Sequence, residues 1–143
     1  MSRRERLHEV TRLLHLSADY RDPNPGRSHI TGLDHALRCA ALGDDDEAAF
    51  LGLVHDLARP LNDVHHGEIM AEIVRDRVSE TGYHILRTHG QYQSAIVHGH
   101  DLPDHPWQRD AARFAGHEAR SFQVECPAIT VEQAEWMIEW WLS

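Results

Sequence analysis

Apolar positions in this chain recur every three or four residues in separate blocks, and no block alternates with the two-residue period of a strand. In residues 3–16, Leu7, Val10, Leu13 and Leu14 form one stripe of an amphipathic helix. Residues 17–29 hold prolines, a glycine and several turn formers, and read as a loop. Thr31 is placed to cap a second helix that carries Leu33, Leu37, Ala40 and Ala41 on one side. Gly43 and the run Asp44-Asp45-Asp46 end that helix and open a third, since acids in a first turn suit the helix dipole. The third block, 47–58, is apolar nearly all round, which marks a buried helix, and Pro60 stops it.

A fourth helix is predicted over 66–78, and Ser79 or Thr81 caps a fifth over 83–97. The stretch 98–106 is a polar loop in which His98, His100 and His105 read as solvated residues rather than a lid. A sixth helix spans about 107–121. After a loop at 122–129, Thr130 and Gln133 form a capping box for a terminal helix. The tryptophans of that helix, Trp136, Trp140 and Trp141, are expected in the core. The class is all-α: a bundle of five core helices with flanking helices at 3–16 and 130–142, in one domain over 1–143.

Composition agrees with one globular domain: 143 residues, 41% hydrophobic. The formal charge of −9 argues against nucleic-acid or anionic-membrane partners, which need a basic face, and leaves room for a local pocket that takes a small anion. No apolar run approaches the roughly 18 residues of a membrane span. The first residues lack the apolar stretch of a signal peptide, and Cys39 and Cys126 show no metal or disulfide spacing. A cytoplasmic protein with reduced thiols is expected. The outlier is histidine: 13 residues spread along the chain rather than gathered in a tag.

The pair His55-Asp56 lies in the apolar run Phe50-Leu-Gly-Leu-Val-His-Asp-Leu57. A buried aspartate is costly unless it is paired or metal-bound, so the pair needs a partner. A histidine satisfied by a carbonyl beside a capping aspartate is the alternative, but this reading puts Asp56 mid-helix, where it caps nothing. His35 lies on the second predicted helix, His66 opens the fourth, and His89 lies in the fifth. One site per successive helix allows them to converge inside a bundle.

This order of ligands resembles the HD superfamily. More closely, it is similar to the branch of di-iron oxygenases that includes the enzyme of bacterial phosphonate catabolism and is related to myo-inositol oxygenase. The resemblance rests on Leu33-Asp-His-Ala-Leu-Arg-Cys-Ala40, on the His-Asp run, on His66-Gly-Glu-Ile-Met-Ala71 and on Leu86-Arg-Thr-His89. It covers about residues 30–127, with the metal-binding core at about 30–121. It implies a two-metal site bridged by Asp56, with His35 and His55 on one metal and His66 and His89 on the other. His65 is the second choice for His66. It also implies two iron ions, or manganese or another divalent metal, with O2 as co-substrate. A homodimer is left open.

Three departures stand out. The family's closing aspartate falls at Gly116, so His117 is the expected stand-in, with Glu118, Asp110 or a water as alternatives. A family histidine one turn after the His-Asp pair is Arg59 here, placed to clamp an anionic substrate in two-pronged fashion. A phosphonate-binding lysine is Gln93, and the N-terminal loop offers Ser28 or His29 for substrate contact. The expected catalytic groups are Asp56 and Arg59, with Arg59, Gln93 and His29 binding substrate. The activity implied is O2-dependent oxidation of a small polar anion. Phosphoester hydrolysis on the same ligands and a non-catalytic metal-binding module are the alternatives.

Overall fold

The computed structural model describes residues 1–143. Seven α-helices account for its regular structure together with one short 3-10 turn, Ser17–Asp19, and there is no strand. They are α1 (Arg3–Leu16), α2 (Gly32–Leu42), α3 (Asp46–Val54), α4 (His66–Val74), α5 (Glu80–His98), α6 (Gln108–Arg120) and α7 (Val131–Leu142). No helix is long and apolar enough to cross a membrane.

Most helix starts are set by side chains that satisfy the otherwise unpaired first N–H groups. Thr31 and Asp34 form a reciprocal capping box on α2, and Thr130 and Gln133 form one on α7. Asp45 accepts from Ala48 N on α3. Ser79 accepts from Gly82 N, so α5 begins at Glu80, three residues earlier than the apolar pattern alone suggests. Gly99, at φ 69°, ends α5 in the left-handed conformation that glycine adopts without steric cost.

All seven helices contribute to one cluster of 25 buried apolar residues. Helix α2 packs mainly on α3, α5 on both α4 and α6, and α1 on α7. Two glycines permit the closest approaches. A Cβ on Gly52 would lie 2.6 Å from the Cys39 carbonyl oxygen, so only glycine lets α3 press against α2. A Cβ on Gly67 would lie 2.5 Å from the Leu86 carbonyl oxygen, and that contact seats the start of α4 on α5.

Two expectations need correction. Helix α3 ends at Val54, not at Ala58. The Gly52 carbonyl, which Asp56 N–H would take in a continuing helix, accepts from His55 Nδ1 at 2.7 Å. The chain then turns tightly, with Leu57 N on Val54 O and Arg59 N on Asp56 O. Asp56 therefore sits just past the helix end. The second correction concerns the tryptophans. The buried face of α7 is Ala134, Ile138 and Leu142. Trp136 and Trp140 lie two positions from those residues, about 200° round the helix, and each is 72% exposed. Trp141 alone packs inward, stacked on Phe50 at 4.7 Å.

Candidate metal centre

Five segments bring their chemistry to one point. His35 comes from α2, His55 and Asp56 from the end of α3, His66 from the first position of α4, His89 from the middle of α5 and Glu118 from α6. His35, His55, His89 and Glu118 are buried; Asp56 and His66 are nearly so, with side chains 13% and 15% exposed.

The histidines share one local device. His55, His66 and His89 each donate Nδ1–H to the carbonyl three residues back, at Gly52, Asp63 and Leu86, all at 2.7 Å. His35 reaches Ser121 Oγ at 2.9 Å instead. Ser121 spends its only proton on the Glu118 carbonyl, so it accepts from His35. All four rings are fixed by their Nδ1 side and present Nε2 to the centre, as metal-ligating histidines do.

The Nε2 atoms come in two pairs. His35 and His55 are 2.9 Å apart, and so are His66 and His89. Asp56 stands between the pairs and divides its carboxylate. Its Oδ2 lies 3.1 Å from His35 and 3.4 Å from His55. Its Oδ1 lies 3.0 Å from His66 and 3.1 Å from His89. Glu118 completes the first set, with Oε1 2.8 Å from His55 Nε2 and 3.9 Å from His35 Nε2.

The donor set fits two cations. Ligand atoms held at right angles by bonds of about 2.1 Å lie about 3.0 Å apart, which is the spacing of these nitrogens and oxygens. Both oxygens of Glu118 are fully buried; neither has a hydrogen bond of good geometry, and the near partner of Oε1 is His55 Nε2 at 2.8 Å. A buried carboxylate is unfavourable without a positive partner, and a cation between Glu118 and the histidines would serve as one. Cys39 also touches His35, with Sγ 3.7 Å from Nδ1. Burial and the Glu118 charge push its thiol well above the usual value, so it packs as a neutral group.

Charge and burial compete throughout. Burial alone would lower the His55 imidazole, but the neighbouring Asp56 and Glu118 carboxylates hold it well above its ordinary value. His66 is raised as well, because the Asp56 hydrogen bond and charge outweigh burial. Burial would raise Asp56 and Glu118, yet the histidines hold Asp56 well below the usual carboxylate range and lower Glu118. The metal-free protein thus keeps protons on His55 and His66 to higher pH than free histidine does, and an arriving cation must displace them. Metal uptake should therefore release protons, and occupancy at limiting metal should fall as pH is lowered, beginning above the ordinary titration range of histidine. Metal titration at a series of pH values checks this; an occupancy independent of pH contradicts it.

Two hollows reach the centre. The larger, about 470 Å³, is lined by Asp56, His66, His89, Arg59, Arg27 and Gln93 among others. A water-sized crevice of about 20 Å³ meets the other side at His35 and Asp56, walled by Tyr20, Arg27, Arg59 and Phe122. Phe122 stacks on the His35 ring at 4.8 Å. His55 and Glu118 line neither hollow and lie behind the open faces.

The expected residues fall into three groups. His35, His55, Asp56, His66 and His89 converge. Arg59 and Gln93 line the larger hollow, although two of the Arg59 donors are already engaged. Its Nη1 donates to Asp22 Oδ2 and its Nε to Asp63 Oδ1, both at 2.7 Å. Three residues lie elsewhere. His117 opens onto a separate hollow between α3, α5 and α6, with Asp45, Glu47 and Asp110 on its walls. The buried stripe of α6 is Ala111, Phe114, Ala115 and Glu118, so Glu118 points inward and His117 is turned about 100° aside. His29 is exposed, and its Nε2 meets the Phe122 carbonyl at 2.9 Å. His65 is exposed as well and pairs with Glu68.

The polar loop is mixed. His98 lines the larger hollow, His100 is exposed, and His105 stacks on Trp107 at 4.5 Å. Ser121, Asp22 and Arg27 were not identified from sequence as parts of the centre. They lie in or beside loops, where no periodicity marks the inward side.

The site and fold together define an all-helical protein with two adjoining sets of metal-ligand side chains sharing one aspartate. No family model and no curated protein sequence matches the chain.

Proposed function

We propose that this chain is a metalloenzyme of the HD superfamily that holds two iron ions and oxidises a small polar anion with O2. One observation carries the reading: the two oxygens of Asp56 are shared between two histidine pairs, and the outer set opens onto a cavity. Two histidines and one carboxylate with open positions form the donor set that suits non-haem iron and O2. Bound irons would supply the redox chemistry of attack on a carbon bearing a hydroxyl or amine.

The chain's own residues do the rest. His35, His55, Asp56 and Glu118 would hold the buried metal, and Asp56, His66 and His89 the exposed one. The carbonyls of Gly52, Asp63 and Leu86 keep the imidazoles aimed. Phe122 screens the His35 side from solvent, while Gln93 offers an amide to a bound molecule in the larger hollow. The guanidinium groups of Arg27 and Arg59 on the cavity walls favour an anionic substrate. Both cysteines are free thiols, which accords with a cytoplasmic setting.

The same arginines also suit a phosphoester, for which the centre would serve hydrolysis. Oxygen uptake separates the two. Iron-loaded protein, offered small hydroxy- or amino-substituted phosphonates and carboxylates, should consume O2 with at least one of them and stop under nitrogen. Turnover of a phosphoester that continues without O2 would overturn the oxygenase reading in favour of hydrolysis.

A further inference from the structure

We infer that Arg27, not Arg59, is the anchor for the oxyanion end of the ligand. This deepens the proposed function and rests on it for the claim that the other end of the ligand meets metals. The loop that carries Arg27 runs from Tyr20 to Thr31 and is closed at its base by Gly32 N donating to Tyr20 O at 2.8 Å. It brings Arg27 to the wall of both hollows that reach the centre. Only Asp56 and Arg59 share that position with it.

The two arginines differ in what they have already bonded. Arg59 already spends Nη1 on Asp22 and Nε on Asp63, and its guanidinium also faces the Tyr20 ring at 5.3 Å. It ties the loop to the turn after α3. Arg27 has one acidic neighbour, Asp22, whose Oδ2 is 3.8 Å from Nη1, beyond hydrogen-bond range. That oxygen is already engaged by Arg59 at 2.7 Å. The Arg27 side chain is only 20% exposed and lies against the Phe122 ring, 5.5 Å from its centroid.

A guanidinium has five N–H donors in a planar fork. One that is four-fifths buried, lies over an aromatic ring and has no side-chain hydrogen bond of its own is prepared for a two-pronged acceptor. The acceptor that matches is a carboxylate or a tetrahedral phosphorus oxyanion. Across the larger hollow, Gln93 and Ser94 supply neutral donors, and the other arginine on its wall, Arg59, already holds two carboxylates. A volume of about 470 Å³ suits a small molecule. The ligand class is therefore a compact molecule with an oxyanion at one end, on Arg27, and a metal-chelating group at the other, towards His66 and His89.

The test is calorimetric binding of inorganic phosphate and of acetate to manganese-loaded protein, with metal content measured on every sample. In R27Q the affinity for the preferred anion should fall about 10- to 100-fold, with R27K intermediate and metal content unchanged. Whichever probe loses more identifies the oxyanion as tetrahedral or carboxylate. Equal affinity in wild type and R27Q would overturn the inference. A second measurement needs no variant: phenylglyoxal modification of the wild-type chain, mapped by mass spectrometry. Phosphate or acetate should protect Arg27 selectively, and lack of protection by both would overturn the inference. The same mapping on metal-free protein separates the two ideas. A chain that takes up no metal but whose Arg27 is still protected would sink the metalloenzyme reading and keep the anion site.

Discussion

Asp56→Ala should strip the protein of both metals in one step. The Asp56 carboxylate is the only side chain common to the two donor sets, with Oδ2 facing His35 and His55 and Oδ1 facing His66 and His89. Removing it leaves each histidine pair without a bridging anion. It also removes the one negative charge of the outer set, and one of the two in the inner set, that would draw a cation in. Metal content should fall from about two per chain to well under one. Activity should fall by more than about 100-fold, the loss that even an outer-sphere partner can bring. The helices need not unravel, since the core cluster does not include Asp56. Metal analysis beside circular dichroism reads both points. A variant that keeps both metals would show that Asp56 is not the bridge.

Glu118→Ala should have the second-largest effect, and a different one. Glu118 touches only the inner set, so the variant should retain the outer metal and lose the inner one, giving about one metal per chain. His117→Ala is the contrast. That side chain faces the separate hollow beside Asp45, Glu47 and Asp110, and its removal should leave metal content unchanged. If the two variants exchanged outcomes, the placement of α6 over the centre would be wrong.

The difference between Glu118 and His117 also shows how the sequence carries such a site. Periodicity places the seven helices well, because each has an apolar face that the core fills. It also contains the clue to the inward-facing carboxylate of α6. In α6 the positions Ala111, Phe114 and Ala115 form a stripe, and Glu118 continues it at the next helical step. A carboxylate on the buried stripe of an amphipathic helix needs a cation, whereas an adjacent histidine off that stripe does not. The resemblance to the HD superfamily points to the neighbouring position because such a resemblance counts residues, not faces.

The end of α3 was less legible. The run around His55 is apolar enough to continue as helix. The turn depends on one side-chain bond, from His55 Nδ1 to the Gly52 carbonyl, that no residue pattern announces. That bond turns the aspartate out of the helix and towards the cavity.

Arg59 lay on the expected side of the site, but its partners did not show in the sequence. Asp22 and Asp63 come from two different loops, and only the folded chain brings their carboxylates to one guanidinium. Loop 20–31 has no periodic pattern to reveal which of its residues face inward. Its contribution, from the Asp22 tie to an Arg27 with no side-chain hydrogen bond, depends on tertiary contacts.

The central claim is that two cations bind within reach of one shared aspartate. Metal content of wild-type protein, reconstituted and held without oxygen, tests it most directly when joined to electron-spin resonance of the same sample. The account predicts about two irons per chain, with the spin-coupled signal of an iron pair, its g-values below that of the free electron, once one iron is oxidised. A single iron per chain with an isolated-ion spectrum, unchanged by Glu118→Ala, would contradict it.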